Sequence, residues 1–541
     1  MQGLMMSMPL MISSLIRHAD RWHGDTEIVS RTLEGPIHRY TYRDAHARAR
    51  RLARALGALG VHAGDRIATL AWNGYRHFEL YYGISGMGAI IHTVNPRLFF
   101  DQLAYILNHA EDRFVFFDVT FAPLVEKLAP ACKRVEGWVA MTDRAHMPSI
   151  AAPSLLCYEE LLAAADDDYE WPLFDENTAS SLCYTSGTTG NPKGVLFSHR
   201  STLLHALGTN APDVNNYTAR STVLPIVPMF HVNAWGIPYA APLVGAKLVL
   251  PGAGLDGASL YELCEQEKVD CSSGVPTVWF NLIAYLKEKN VKLTTLKRTI
   301  IGGAACPPAM IRTLRDDYGI TVTHGWGMTE MSPIGTINNP KGKHASLDAD
   351  EQIALASKQG RPLFGVDMKI VDAEGRELPH DGRAAGNLLV RGPWILGRYY
   401  RDEGGHPLTK DGWLPTGDVG TIDPDGYLGI TDRSKDIIKS GGEWISSIEL
   451  ENIAMGHPGV AEAAVIGVPH PRWDERPLLI VVKRTGATVE RDALLGFYDG
   501  KVAKWARPDD VVFVDELPHT ATGKLSKRTL RERFKAYRLP G

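Results

Sequence analysis

The 541-residue sequence has few cysteines: Cys132, Cys157, Cys183, Cys264, Cys271 and Cys306, none spaced as C-x-x-C. That spacing excludes a disulfide framework and a zinc ribbon, and it fits a reducing, cytoplasmic setting. Charge of one sign is also lacking. Lys+Arg number 58 and Asp+Glu 62, a net charge of −4, so no bulk field draws the chain to nucleic acid or an anionic membrane. The apolar start, MQGLMMSMPLMISSL, has no basic flank and no small-residue cleavage site, and Arg17 and His18 follow it at once. It is too short to cross a bilayer and does not read as a signal peptide. A methionine-rich arm that packs on the body or on a partner is the expectation, with no transmembrane segment.

What is present is glycine and hydroxyl, concentrated in one place: Tyr184-Thr185-Ser186-Gly187-Thr188-Thr189-Gly190-Asn191-Pro192-Lys193-Gly194. Glycine lets a backbone approach a ligand closely, and successive backbone N–H groups in such a turn form an anion-binding concavity. Four hydroxyls and Lys193 add donors and one positive charge, which suits a polyphosphate. The stretch is not a Walker A loop, because Pro192 precedes the lysine and Gly194, not Ser or Thr, follows it. The competing reading is a polar surface loop.

The chain is long enough for several structural units. Thr41 caps a helix with Asp44 three residues on, and Leu52, Leu56 and Leu59 continue it to Gly60. Short apolar strands follow at 66–70, 114–117, 222–227, 247–250, 298–301 and 320–323, separated by helical segments. Alternation of this kind favours a mostly parallel sheet covered by helices, with ligands beyond the carboxyl ends of the strands. From about Gly360, strands at 366–371 and 386–390 alternate with Gly/Asp turns, as in a small antiparallel unit. A charged stretch at 432–444, a helix at 447–455 and strands at 463–468, 478–482 and 511–515 then make a compact α+β unit of domain size. The boundary falls near Asp432.

Four motifs stand in order: YTSGTTGNPKG (184–194), GWGMTE (325–330), PTGDVG (415–420) and TGK (522–524). Together they resemble the adenylate-forming superfamily of acyl-CoA synthetases, peptide-synthetase adenylation domains and luciferases. PMFHVNAWG (228–236) and DRSKDIIKSGGEWIS (432–446) are most similar to bacterial medium- and long-chain fatty acyl-CoA ligases and 3-(methylthio)propionate CoA ligases. The resemblance implies an α/β fold. A large N-terminal domain (1–431) of helix-covered mixed β-sheets would carry a small β-barrel-like unit at about 360–431. A small mobile α+β C-terminal domain (432–541) would follow. It also implies two half-reactions: a carboxylate attacks the α-phosphate of ATP to give an acyl-adenylate, and the thiol of coenzyme A then displaces AMP.

The resemblance assigns roles residue by residue. Thr185, Ser186, Gly187, Thr188, Thr189, Gly190 and Lys193 would hold the outer phosphates. Thr329 would touch phosphate, and Glu330, with Thr185, would hold Mg²⁺. Gly302, Gly303, Ala304 and Ala305 would leave room beside adenine and the acyl group, next to Trp326, Gly327 and Met328. Trp326 stands where tyrosine is commoner. Asp418 would accept from both ribose hydroxyls, with Arg433 as a second contact, while Lys435 and Lys439 would close on the nucleotide. Lys524 would bridge carboxylate and α-phosphate, a charge-stabilising role. His231 would lie near the carboxylate, and Val232 and Trp235 would line and gate the acyl site. Gly441, Gly442 and Trp444 would line the pantetheine passage. Lys501, Lys504 and Lys527 read as surface charges, and Cys306 as a buried thiol. A hinge near Asp432 would bring two faces of the small domain to one site in turn.

The expected reaction is acid–CoA ligation, with a medium- or long-chain fatty acid as substrate or, alternatively, 3-(methylthio)propionate. A catalytically inactive nucleotide-binding scaffold is the reading from another class, and the intact motifs argue against it. A peptide-synthetase module is disfavoured because the wall Val232, Ala234, Trp235, Gly236, Ile237 and Tyr239 is uncharged. Related ligases often dimerise, which makes a homodimer through the N-terminal arm an expectation.

Overall fold

The computed structural model describes residues 1, 3–185, 191–403, 405–441, 443–520 and 525–540. Among them lie four sheets. One has seven strands, with Leu155–Cys157, Gly137–Ala140, Phe114–Phe117, Arg66–Leu70, Ile90–Thr93 and Ala179–Tyr184 paired in parallel and Gly194–Ser198 turned back antiparallel. Its central strands are buried along their whole length, as Phe114–Phe117 is, because helices cover both faces. The second has nine strands. Its core, from Thr321–Gly327 through Arg298–Ile301, Cys271–Gly274, Thr222–Pro225 and Lys247–Leu250 to Glu27–Arg31, is parallel, and antiparallel strands close both edges. The expected helix-covered mixed sheets are therefore present.

The helix Tyr42–Ala58 starts where the sequence places it. Thr41 and Asp44 cap each other reciprocally, with Thr41 N donating to Asp44 Oδ2 at 2.9 Å. Ala45, Ala49, Leu52 and Leu56 form its buried face. It lies so close to the helix Tyr75–Gly86 that a Cβ on Gly83 would stand 2.6 Å from Leu52 Cδ2.

The antiparallel unit is a four-stranded meander of Asp367–Val371, Gly386–Arg391, Leu414–Ile422 and Leu428–Arg433. Asp432 pairs with Val419 in its last strand. The same residue's carboxylate accepts from Ser447 N at 2.7 Å, at the first turn of the helix Ser447–Met455. One aspartate thus belongs to the backbone of one unit and the side-chain network of the next. A five-stranded sheet built on Val460–His470 and Asp474–Lys483 follows.

The glycine-rich loop connects Ala179–Tyr184 to the antiparallel Gly194–Ser198, and Thr185 N donates to Lys193 O at 2.9 Å across its base. Ser186, Gly187, Thr188, Thr189 and Gly190 lie outside the described residues, as do Gly442 and Lys524. The N-terminal arm is anchored from Leu10, whose N–H donates to Glu176 Oε2 at 2.9 Å, while Met1, Leu4, Met5, Met6 and Met8 are exposed. Among the described residues no helix is long and apolar enough to cross a membrane.

Lys527 corrects a sequence expectation. It is buried, not a surface charge: Nζ lies 2.8 Å from Glu451 Oε1 and also donates to Ser447 Oγ. It opens the helix Lys527–Arg533, which packs on the strand Val460–His470 and lays the amine over Glu451. Burial alone would lower the ammonium's pKa, but Glu451, with Asp432 beyond it, raises it above its ordinary value. Lys501 and Lys504 are exposed, as expected. Removing one partner of a buried pair strands the other charge. Lys527→Met is therefore expected to lower unfolding stability by about 3–5 kcal/mol in chemical denaturation. Lys504→Ala should change it by less than ~0.5 kcal/mol, and Glu451→Gln should recover part of the Lys527→Met loss.

Candidate active site

A cavity of about 250 Å³ opens at the carboxyl ends of Arg298–Ile301 and Thr321–Gly327, where parallel sheets present ligands. Its polar end is lined by Thr185, Asn191, Lys193, Thr329, Glu330 and Tyr399. Tyr399 OH donates to Glu330 Oε1 at 2.8 Å, and Lys193 Nζ stands 4.8 Å from the centre of the same ring. Burial and the neighbouring Glu330 push the Tyr399 phenol up, so it stays a donor. Glu330 Oε2 has no hydrogen-bond partner among the described residues and faces the cavity that Thr185 lines. No group of three or more His, Cys, Asp or Glu side chains could hold a metal among those residues. A lone carboxylate beside a hydroxyl suits Mg²⁺, which keeps water and phosphate oxygens in its shell. Zinc requires a cage of protein ligands.

The nucleotide end is adjacent. Gly303, Trp326, Gly327 and Arg433 line both this cavity and a neighbouring one bounded by Ala304, Ala305 and Asp418. Asp418 is buried. Trp326 Nε1 donates to its Oδ2 at 2.9 Å, Arg433 Nε pairs with its Oδ1 at 2.7 Å, and its own N–H donates to Thr416 Oγ1 at 3.1 Å. A carboxylate offers two acceptor oxygens, which suits a diol. Arg433 is the next residue after Asp432, so the guanidinium arrives from the chain's passage into the C-terminal unit.

The apolar end is formed by Val232, Trp235, Ile300, Gly302, Met328, Pro333 and Ile334, with His231 at its rim. The Trp235 indole forms the floor: its Cη2 would lie 3.5 Å from a Cβ on Gly302. Val232, Asn233, Ala234 and Trp235 all have left-handed backbones, with φ of 40°, 54°, 47° and 56°. This conformation costs roughly 1–2 kcal/mol per residue that carries a Cβ. Tyr81, Tyr82 and Tyr239 are fully buried in the same apolar core as Trp235.

The structure thus brings together Thr185, Lys193, His231, Val232, Trp235, Gly302, Gly303, Ala304, Ala305, Trp326, Gly327, Met328, Thr329, Glu330, Asp418 and Arg433. Lys435, Lys439, Gly441 and Trp444 line neither cavity. Gly441 instead has φ 60° beside Trp473, 2.6 Å from where a Cβ would stand, and Trp444 is exposed. Cys306 is buried and its thiol pushed up by burial, as expected of an inert cysteine. Tyr399, Pro333 and Ile334 escaped the sequence reading. Tyr399 lies far from every motif, and its neighbours carry no pattern that marks a ligand wall. Trp326→Phe retains an aromatic face and loses the donor to Asp418. AMP affinity is expected to fall about 5–10-fold, the worth of one hydrogen bond, measured by calorimetry.

The family model for "AMP-binding enzyme" matches residues 15–400, and that for "AMP-binding enzyme C-terminal domain" matches 449–524. A 3-methylmercaptopropionyl-CoA ligase of Ruegeria lacuscaerulensis is 56% identical over 535 residues, covering 99% of each chain. A medium-chain-fatty-acid–CoA ligase of Ectopseudomonas oleovorans is 51% identical, covering 99% of this chain and 98% of its own. Among solved structures, the anthranilate CoA ligase AuaEII in complex with anthranoyl-AMP superposes with a TM-score of 0.87 at 25% identity over 98% of each chain. ATP-bound MatB from Rhodopseudomonas palustris does so with a TM-score of 0.81 at 26% identity, covering 98% of this chain and all of its own. The fold is that of the adenylate-forming enzymes, and the chain belongs to the AMP-binding enzyme family.

Proposed function

We propose that this protein joins a short apolar carboxylic acid to coenzyme A, through an acyl-adenylate made from ATP. The observation that carries the reading is one cavity with a cationic, carboxylate-bearing end and an apolar floor closed by Trp235. A carboxylate held near His231 would have its chain against Val232 and Trp235 and its oxygens toward the phosphate end. Lys193 and the glycine-rich loop would hold the β- and γ-phosphates and then the leaving pyrophosphate, since such chemistry needs positioning and charge neutralisation more than covalent help. Glu330 and Thr185 would hold Mg²⁺, which supplies charge neutralisation at the phosphates. Asp418 and Arg433 would fix the ribose. Lys524 would stabilise charge between the carboxylate and the α-phosphate.

We assign residues 1–431 and 432–541 to two domains hinged near Asp432. Gly441, Gly442 and Trp444 would serve the thioester half-reaction after rotation. Gly441 and Trp444 line neither cavity, which accords with that division of labour. Six buried, unpaired cysteines favour a cytoplasmic setting. The exposed Met1–Met8 tip would contact a second copy.

For the acid we favour 3-(methylthio)propionate or another acid of similar length. Trp235 closes against Gly302 at the apolar end, and two relatives at 56% and 55% identity are 3-methylmercaptopropionyl-CoA ligases. A medium-chain fatty acid is the second reading, favoured by the relative at 51%, and it requires Trp235 to move. A ligation series over saturated acids of two to eighteen carbons, with 3-(methylthio)propionate included, tests this. Short acids should give the highest kcat/KM, with release of AMP and pyrophosphate; a maximum at twelve or more carbons would contradict the short-chain reading. Lys524→Ala should slow adenylation by at least ~10²–10³ and spare thioester formation from pre-made acyl-adenylate. Equal loss in both half-reactions would remove the role given to Lys524.

A further inference from the structure

The floor of the acyl end is an unusual piece of backbone. Val232 to Trp235 run left-handed without a glycine among them, and Gly236, with φ 80°, ends the turn. Such a run persists only where its surroundings over-determine it. Asn233 supplies that constraint. Asparagine is among the residues that tolerate this conformation best, and its side chain, buried away from the cavity lining, is bonded at both ends. Nδ2 donates to Ser181 Oγ at 3.1 Å, while Oδ1 accepts from the Cys183 thiol at 3.6 Å and lies 3.3 Å from Tyr81 OH, which it shares with Met229 O at 2.5 Å. Those partners sit on the buried strand Ala179–Tyr184 and the helix Tyr75–Gly86. At the far end of the turn, a Cβ on Gly236 would stand 2.8 Å from His205 Nδ1, so the chain closes against that ring with no room to spare. Trp235 lies between these two points, with its indole against Gly302.

We propose that Asn233 is a specificity-determining positioning residue: by pinning the left-handed turn to Ser181, Tyr81 and Cys183, it holds the Trp235 indole as the floor and so sets the acyl-chain length accepted. This rests on the reading that the cavity beneath Gly302 receives the acid's chain. Asn233 touches no substrate. Its effect passes through Trp235, and two consequences follow. Releasing the turn changes discrimination among acids without changing the handling of ATP. Removing the indole makes Asn233 irrelevant to chain length.

The experiment measures kcat/KM for CoA ligation of 3-(methylthio)propionate and of octanoate, with the KM for ATP alongside. The proteins are the full-length wild type, Asn233→Gly, Asn233→Ala, Trp235→Ala and the Asn233→Ala/Trp235→Ala pair. Asn233→Gly keeps the left-handed freedom and removes the anchoring bonds, so it reads the anchor even if Asn233→Ala fails to fold. The ratio of short to long acid is expected to fall at least ~10-fold in either Asn233 variant, a typical worth of pocket-shape discrimination. The KM for ATP should stay within about twofold, and the double variant should match Trp235→Ala alone, the non-additivity of two groups acting as one. A folded Asn233→Gly with the wild-type ratio, or a double variant whose losses add, overturns the role of Asn233. A wild type with no preference between the two acids overturns instead the reading that this cavity takes the chain.

Discussion

Asp418 accepts the indole N–H of Trp326 at 2.9 Å and pairs with Arg433 at 2.7 Å, so a single buried carboxylate ties two sheets together. Trp326 ends a strand of the nine-stranded sheet, while Asp418 and Arg433 face each other on adjacent strands of the antiparallel meander. A carboxylate buried this deeply requires donors. Trp326 and Arg433 supply two donors, and all three residues line the nucleotide end of the cavity.

The phosphate end is held from outside its own motif. Tyr399 bonds Glu330 and faces Lys193, while Glu403, four residues on, accepts from Tyr105 OH at 2.7 Å and pairs with His109 at 3.1 Å. His109 in turn meets Tyr184 OH at 2.6 Å, directly before the glycine-rich loop. The segment from Tyr399 to Glu403 thus spans the loop's base and the Glu330 carboxylate.

Much of this was legible in the sequence because it is local. Thr41 and Asp44 announce the helix Tyr42–Ala58, and Ser446 accepts from Glu449 N at the start of Ser447–Met455 as an N-cap should. Thr185 of the glycine-rich motif follows the buried strand Ala179–Tyr184, and the GWG and PTGDVG residues lie on the strands Thr321–Gly327 and Leu414–Ile422. What was not legible depends on contacts between distant segments. Lys527 reads as one more charge in a basic tail, and only the packing of Lys527–Arg533 over Glu451 makes it a buried ion. The left-handed turn at Val232–Trp235 is hidden because a run without glycine gives no sign of positive φ, and its cause lies some fifty residues away at Ser181 and further still at Tyr81.

Formation of an acyl-adenylate in one cavity is tested most directly by a single turnover with 3-(methylthio)propionate, ATP and Mg²⁺ and no coenzyme A. The expected result is one equivalent of pyrophosphate per chain, dependent on the acid, with the acyl-AMP held on the protein and discharged as thioester and AMP when coenzyme A is added. Release of ADP and phosphate, or pyrophosphate formed without the acid, would contradict it.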